Sequence, residues 1–160
     1  MVVNISKVLS GDFAYVQADI DAVLRATRDA GQRLKVIFEN CYLNEAQKIA
    51  LCQICGELSV DWVKTSTGYG FVKQPDGSYN YKGATEHDLQ LMRASCSSKV
   101  QVKAAGGVRD LDGLIKVRDL GGSRCGATAT AAMIDEYRRR EAAEQAGQTM
   151  EQATASIGKG

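Results

Sequence analysis

Between two helical patterns lies the short apolar stretch Val60-Asp61-Trp62-Val63-Lys64, which ends in a lysine. Valine and tryptophan are residues that strands favour, and the stretch has the length of a strand and not of a helix. Helical patterns precede it at Asn44–Leu58 and follow it at Thr85–Ser95. This order predicts a strand that belongs to a parallel βα unit.

The same alternation of strand and helix runs along most of the chain. The sequence predicts five strands, at Met1–Ile5, Leu34–Phe38, Val60–Thr65, Val100–Ala104 and Arg124–Ala127. It predicts five helices, at Ala14–Ala30, Asn44–Leu58, Thr85–Ser95, Leu111–Leu120 and Ala129–Ala146. Five units of about 32 residues each fit the size of a (β/α)₈ barrel, which has roughly 250 residues. We therefore predict an α/β fold, a partial TIM barrel with about five of the eight βα units.

A doubly wound open sheet is the structural alternative. It would normally carry a glycine-rich phosphate turn after its first strand, but Ser6–Gly11 follows Met1–Ile5 here. The glycine-rich turns instead follow the last two strands, at Gly106-Gly107 and at Gly126. Barrels commonly hold phosphate between their seventh and eighth strands, so these turns favour the barrel.

Local signals mark loops and helix starts. The segment Lys73–Asn80 contains a Pro-Asp-Gly turn and is predicted to be a loop. Asn44 is followed three residues later by Gln47, and Thr85 by Asp88. Both pairs are close to the capping-box pattern that begins helices.

Composition excludes several classes of partner. The chain has 20 basic and 19 acidic side chains, so we expect no nucleic acid and no membrane surface as a partner. No apolar run approaches the roughly 18 residues of a membrane helix, and Met1–Lys7 lacks the features of a signal peptide. We predict a cytoplasmic protein, with residues 1–146 folded and residues 147–160 forming a polar, flexible tail.

The cysteines are odd in number, which in an unsecreted chain argues for free thiols. They are Cys41, Cys52, Cys55, Cys96 and Cys125. The spacing of Cys52 and Cys55 is that of a zinc ligand pair, but no second pair or nearby histidine completes a site. We interpret both as apolar filler in a helix face and predict no metal, with metal or redox use as the alternative.

Two lysines end two neighbouring predicted strands, Lys64 after Val60–Val63 and Lys103 after Val100–Val102. Adjacent parallel strands lie about 4.8 Å apart, so the two ammonium groups can approach closely. A second cation and partial burial both lower the pKa of a lysine. A neutral amine near pH 7 is what a Schiff-base nucleophile requires. The alternative is that each lysine simply reaches solvent from a strand end.

These motifs resemble a known family, the deoxyribose-phosphate aldolases. Val63–Gly70 resembles the family's Schiff-base lysine motif, and Val102–Arg109 resembles its second-lysine motif. Leu34–Glu39 is similar to the preceding strand of the family, and Gly83–Thr85 and Arg124–Thr128 also match. The resemblance covers roughly the first 135 residues and places them in units four to eight of the barrel.

The resemblance implies a class I aldolase, a lyase of carbohydrate and deoxyribose phosphate catabolism. It would reversibly cleave 2-deoxy-D-ribose 5-phosphate into D-glyceraldehyde 3-phosphate and acetaldehyde, without a cofactor. Lys64 matches the imine-forming lysine, and Lys103 matches the partner that lowers its pKa and relays protons. Five residues fall where the family binds the substrate phosphate: Gly68, Gly106, Gly107, Gly126 and Thr128. Glycine lets the backbone approach an anion, which agrees with that assignment.

The chain departs from the family pattern in three ways. The acidic residue that precedes the strand at Met1 in the family has no counterpart, and neither have the first three strand–helix units. The C-terminal tyrosine of many members is also absent, since the last tyrosine is Tyr137. The alternative function is therefore a truncated fragment, a catalytically weak or inactive half-barrel that associates with other chains. A homo-oligomer is one expected form of the protein. A third hypothesis keeps the lysine chemistry but takes another phosphorylated sugar as the substrate.

Three other polar features receive weaker interpretations. Glu39 ends a predicted strand on the same face as Lys35, so it either lines the barrel mouth or orients Lys35. The single histidine, His87, is expected on the surface in the first turn of a helix. Arg138–Arg140 is expected to be the solvated end of a helix.

Overall fold

The computed structural model describes residues 1–80 and 83–157, with side-chain burial assigned up to residue 146. Its centre is a parallel four-stranded sheet in the order β1-β2-β5-β6. The strands are β1 Lys35–Ile37, β2 Trp62–Lys64, β5 Gln101–Ala105 and β6 Gly122–Gly126. A two-stranded antiparallel sheet, β3 Val72–Lys73 and β4 Tyr79–Asn80, lies apart from it in the sheet order.

A helix follows each strand of the central sheet, as βα units require, and two further helices precede β1. The helices are α1 Ile5–Leu9, α2 Phe13–Asp29, α3 Glu45–Leu58, α4 Glu86–Ser95, α5 Leu111–Asp119 and α6 Thr130–Ile157. A short 3₁₀ turn, Asn40–Tyr42, lies between β1 and α3. The fold is α/β, and its parallel strands and the connecting helices form part of a TIM barrel, as the sequence predicts.

Two helix starts show the capping that the sequence predicts. The side chain of Asn44 accepts a hydrogen bond from the backbone N–H of Gln47, whose side chain accepts one from the N–H of Asn44. The hydroxyl of Thr85 accepts from the N–H of Asp88. The carboxylate of Asp88 is used elsewhere, because it pairs with the ammonium group of Lys48 at 2.7 Å.

The apolar core lies between one face of the central sheet and the helices. Val36 is level with Val63, and Val63 is level with Val102. All three valines are fully buried. Leu51 and Met92 come from the helices and are fully buried in the same cluster. Since side chains alternate across a strand, the residues next to these valines along each strand project from the opposite, concave face.

On the concave face, three cations cover a tryptophan. The ring of Trp62 has Arg124 at 4.4 Å, Lys35 at 5.1 Å and Arg33 at 5.7 Å from its centroid. Its indole N–H donates to Ser123 Oγ at 3.1 Å. Cation–π contacts of this kind shield the ring, which is only 2% exposed.

Three local predictions need correction or stay open. The strand Met1–Ile5 is wrong in its extent, because only Val2 forms a β-bridge, with Ile37, and helix α1 already begins at Ile5. The segment predicted as a loop is a small hairpin, with Gly77 in the turn at φ 84°. The last helix continues to Ile157, beyond the predicted end at Ala146, whereas residues 158–160 lie outside the described part of the chain. The flexibility of residues 147–160 stays a prediction.

The buried ion pair between α3 and α4 leads to a stability test. We expect Asp88→Asn to lower the free energy of unfolding by about 3 kcal/mol, because it leaves the buried ammonium group of Lys48 without its partner. The matched control is Glu86→Gln, which breaks an exposed pair with Lys116 and should change little. Urea unfolding followed by circular dichroism measures both. Equal effects would show that the buried pair contributes no more than the surface pair.

Candidate active site

Lys64 and Lys103 lie side by side at the carboxyl end of the sheet. Strands β2 and β5 pair in a register that sets Lys64 directly opposite Lys103. On the other side of β2, Ile37 is level with Lys64. Residues that are level across parallel strands point to the same face of the sheet. Both lysines are half-buried on the concave face.

The surroundings of Lys64 lower its pKa. Burial is the main cause, and the like charges of Lys103 and, more weakly, Lys35 act in the same direction. The negative charge of Glu39 opposes them and raises the pKa. The net effect is a lowered pKa, which increases the fraction of neutral amine at a given pH.

A cavity of about 470 Å³ opens beside Lys64. All five residues that the sequence assigns to a phosphate group line this cavity: Gly68, Gly106, Gly107, Gly126 and Thr128. Lys103 borders it closely, because a Cβ atom on Gly126 would come within 3.6 Å of the Cε atom of Lys103. The structure therefore brings the predicted site residues together, while their chemical roles stay predictions.

Two consecutive glycines shape one wall of the cavity. Gly106 and Gly107 both have φ of 85°, in the left-handed region that side chains disfavour. Gly83 packs against this turn so closely that a Cβ atom on it would lie 2.7 Å from the Gly106 backbone. The turn thus presents backbone, and not side chains, to the cavity, as an anion site needs.

Hydroxyl groups tie the two lysine strands together just beyond Lys64. Thr65 Oγ1 donates to the Ala105 carbonyl oxygen at 3.2 Å and accepts from the Ala105 N–H at 3.1 Å. Ser66 Oγ donates to Thr65 Oγ1 at 3.2 Å. Thr65 and Ser66 are almost completely buried. These bonds fix the carboxyl ends of β2 and β5 relative to each other.

Glu39 is bound to the segment that follows Lys64. Its carboxyl group accepts hydrogen bonds from the backbone N–H of Thr67, at 3.1 Å, and from the Thr67 hydroxyl. It also accepts from the Cys41 thiol at 3.9 Å. The structure thus joins Glu39 to Thr67, whereas the sequence linked it to Lys35 through their shared strand face.

Arg109 and Tyr69 are among the cavity residues to which the sequence assigned no role. Arg109 lines the cavity and is exposed, so its guanidinium group is available to an anion. Tyr69 lines it as well and is 85% exposed. The signal for Arg109 was present, because a cation directly follows the Gly106-Gly107 turn and Val108.

The remaining polar features lie away from the lysine pair. His87 pairs with Glu45 at 2.6 Å on the surface. Arg138 pairs with Asp135, Arg139 with Glu136, and Arg140 with both Glu136 and Asp112. The sequence predicts a solvated helix end at Arg138–Arg140; the structure places these residues inside α6, Thr130–Ile157, so the predicted helix end is wrong.

The cysteines are free thiols in this structure. Cys52 and Cys55 are fully buried in α3. Among the described residues, no group of three or more histidine, cysteine, aspartate or glutamate side chains is placed to hold a metal ion. The interpretation of Cys52 and Cys55 as packing residues stays consistent with their burial.

A second cavity, of about 300 Å³, lies between α5, β6 and α6. Its lining is largely apolar and includes Leu111, Leu114, Ile115 and Tyr137. It has no lysine and no glycine turn of the kind found beside Lys64. The cavity at the lysine pair is therefore the candidate active site.

Fold and site together define a βα-barrel protein with a lysine-centred cavity at the carboxyl edge of its parallel sheet. No family model matches the chain. It is 58% identical over 139 residues to a deoxyribose-phosphate aldolase from Rhodopirellula baltica, a match that covers 87% of this chain and 54% of the relative. A deoxyribose-phosphate aldolase from Thermococcus gammatolerans is 36% identical over 141 residues, covering 88% and 58%.

Solved structures agree with these matches. A putative deoxyribose-phosphate aldolase from Coccidioides immitis has a TM-score of 0.75 at 34% identity, over 86% of this chain and 51% of that one. The chain is homologous to the deoxyribose-phosphate aldolases, which confirms the resemblance seen in its motifs. It spans about half the length of the curated relatives it matches.

The cation next to Lys64 leads to a test of the site's electrostatics. We expect Lys103→Leu to raise the pKa of Lys64, because a neighbouring like charge is lost. The fraction of neutral amine at a given pH then falls, so acetylation of Lys64 should shift to more alkaline pH. Competitive acetylation followed by peptide mass spectrometry measures this shift. The control is Lys99→Leu, at an exposed position outside the cavity. An unchanged profile for Lys103→Leu would remove Lys103 from this role.

Proposed function

We propose that the chain carries the imine-forming part of a deoxyribose-phosphate aldolase site. The reaction is the reversible aldol cleavage of 2-deoxy-D-ribose 5-phosphate to D-glyceraldehyde 3-phosphate and acetaldehyde. The observation that carries the proposal is the level pairing of Lys64 with Lys103 beside a glycine-lined cavity. The homologues named deoxyribose-phosphate aldolase support the substrate class.

Lys64 is the nucleophile in this proposal. Its neutral amine attacks the C1 aldehyde of the open-chain sugar, and uptake of one proton with loss of water gives an iminium ion. The C3 hydroxyl then gives up its proton, the C2–C3 bond breaks, and its electrons move into the iminium group. Glyceraldehyde 3-phosphate leaves, and the enamine that stays on Lys64 is protonated at C2 and hydrolysed to acetaldehyde. The lowered pKa of Lys64 supports the first step.

Lys103 has two roles in the proposed mechanism. Its charge acts on Lys64 and lowers the pKa of that amine. Its position next to Gly126, at the cavity wall, also suits a group that relays protons to and from the reacting atoms. Since the iminium group is the electron sink, the proposed reaction uses neither a metal nor a cofactor.

The phosphate group of the sugar is assigned to the glycine-lined end of the cavity. Gly68, Gly106, Gly107, Gly126 and Thr128 line it, and backbone N–H groups at such turns bind anions. Arg109 supplies a cation beside them. The cavity's volume of about 470 Å³ lies in the range of small-molecule sites.

The location and assembly of the protein stay proposals. Within the part of the chain that the structure describes, no helix combines the length and the apolar character needed to cross a membrane. We propose a cytoplasmic enzyme that binds no nucleic acid and forms homo-oligomers. The balanced charge supports the absence of a nucleic-acid partner.

The imine assignment is tested by trapping. We expect acetaldehyde and borohydride to attach an ethyl group to Lys64, because the neutral amine condenses with the aldehyde and the imine is then reduced. Peptide mass spectrometry locates the label. Lys64→Ala should abolish the label at this peptide, and Lys99→Ala should leave it in place. Undiminished labelling of the Lys64→Ala chain would contradict the assignment.

The open edges of the sheet favour the second candidate, a half-barrel that associates with other chains. In the described residues, β6 pairs only with β5, and Val2 forms a single bridge with Ile37. Unpaired strand edges promote association.

We therefore expect the 160 residues alone to form oligomers and to turn over 2-deoxyribose 5-phosphate at least about a hundredfold more slowly than the full-length Rhodopirellula baltica relative. The reason is that the family's acidic residue has no counterpart among these 160 residues, and a positioned proton-transfer group contributes about 10²–10⁴-fold. Among the described residues, Glu39 is the carboxyl group whose charge acts on Lys64. Light scattering gives the mass, and an aldolase assay gives the turnover. A monomer with the relative's turnover would contradict both expectations.

A further inference from the structure

Glu39 has an unusual backbone conformation for a residue with a side chain. It directly follows Phe38, beyond the end of β1, and lies in the left-handed region at φ 56° and ψ 61°. It is nevertheless buried, with 3% of its surface exposed. Strained residues of this kind persist where the surrounding structure holds them, and they cluster at functional sites.

The side chain of Glu39 determines the path of the segment after Lys64. One carboxyl oxygen accepts from the Thr67 N–H at 3.1 Å, and the other accepts from the Thr67 hydroxyl. The same hydroxyl oxygen accepts from the Tyr69 N–H at 2.9 Å. Gly68, between these two residues, lines the cavity with φ of 101°. The carboxyl group thus holds both ends of the Gly68 turn.

Neighbouring contacts leave Glu39 little freedom to move. The backbone on either side of it is bonded to the lysine strand, from the Phe38 N–H to the Lys64 carbonyl and from the Asn40 N–H to the Thr65 carbonyl, both at 2.9 Å. A Cβ atom on Gly70 would lie 2.7 Å from the Cys41 sulfur and 3.3 Å from the Glu39 carboxyl group. The segment after Lys64 is therefore packed directly against Glu39.

We propose that Glu39 is a positioning residue of this site: its carboxyl group fixes the Thr67–Gly68 backbone where that backbone lines the end of the cavity assigned to the substrate's phosphate group. The inference rests on the proposed function, since the phosphate is that of the proposed substrate. Glu39 acts through Thr67 and does not itself touch the sugar. Loss of its carboxylate should weaken phosphorylated ligands selectively, apart from the pH shift of imine formation that both kinds of sugar share.

The charge of Glu39 gives a second, independent readout. The charged groups that act on Lys64 are Lys103, Lys35 and Glu39. The charge of Lys64 in turn lowers the pKa of the N-terminal amine of Met1. Glu39 is the group among them that raises the pKa of Lys64. Removing its charge should therefore lower the pKa of Lys64 and move imine formation to lower pH. A mere loosening of the fold would expose Lys64 and move it the other way.

The experiment compares Glu39→Gln, Thr67→Val and the double variant in the full 160-residue chain. Imines of Lys64 are trapped with borohydride at increasing concentrations of 2-deoxyribose 5-phosphate or of 2-deoxyribose. Gln keeps the size and the backbone strain of Glu39 but removes the charge and one acceptor. Thr67→Ser, which keeps the hydroxyl, is the matched control for Thr67→Val, and circular dichroism checks that each variant folds.

We expect each single variant to raise the half-saturating concentration of 2-deoxyribose 5-phosphate about tenfold, the effect of one lost charge-assisted hydrogen bond. At a pH high enough for the Lys64 amine to be mostly neutral in every variant, the half-saturating concentration of 2-deoxyribose should stay the same. In the Thr67→Val background, Glu39→Gln should add less than about twofold, because both changes break the same contact. Thr67→Ser should behave as the unsubstituted chain, and Glu39→Gln should shift trapping to lower pH.

The outcomes separate this inference from the proposed function. Two outcomes would overturn the positioning role alone, provided that the unsubstituted chain is trapped normally. In one, Glu39→Gln weakens both sugars equally; in the other, it weakens neither. If Glu39→Gln does not fold, the positioning role is tested by comparing Thr67→Val with Thr67→Ser. The measurement is again the half-saturating concentration of each of the two sugars. No label on Lys64 in the unsubstituted chain would overturn the proposed function, and this inference with it.

Discussion

The candidate site depends on the register between two parallel strands. Because β2 and β5 pair with Lys64 level with Lys103, the two ammonium groups share one face and one end of the sheet. A shift of one residue would turn one lysine into the apolar layer, where Val63 and Val102 are fully buried. The packing of those valines against the helices therefore fixes the position of the lysines. The hydrophobic core and the electrostatics of the site are two faces of the same strands.

The concave face that results is rich in cations. Arg33, Lys35 and Arg124 surround the Trp62 ring, and Lys64 and Lys103 form a level pair on the same face. Like charges held this close disfavour protonation of one another, and burial adds to the effect at Lys64. The same crowding makes the face receptive to an anion. A phosphorylated sugar fits both properties, since it brings a carbonyl group for the amine and a dianion for the cations.

The sequence predicts the parts of this arrangement that short-range patterns control. The strand that ends at Lys64 and the glycine turn at Gly106-Gly107 follow from apolar periodicity and from residue type alone. The sequence also predicts the strand that carries Lys103, although this lysine lies in the middle of β5 and not at its end. Contacts between distant segments have no such signature. The bond from Glu39 to Thr67 joins residues 28 positions apart, and it depends on a left-handed backbone that glutamate rarely adopts. The failure at Met1–Ile5 has a different, local origin: the apolar residues suggest a strand, but Asn4 caps a helix by accepting a hydrogen bond from the Lys7 N–H.

The opposing charges around Lys64 also bear on the order of events in the proposed reaction. An amine must be neutral to attack a carbonyl, but the iminium ion that forms is positive and suffers the same repulsion from Lys103 as the ammonium ion does. A site with cations alone would therefore favour the attack and disfavour its product. The proposed substrate would change this balance, because its phosphate group would add about −1.5 to −2 charges at pH 7 to the same cavity. The lowered pKa increases the fraction of neutral amine before binding, while the bound phosphate stabilises the positive charge after attack. This timing requires the phosphate to be held at a constant distance from Lys64, which a rigid Thr67–Gly68 backbone provides.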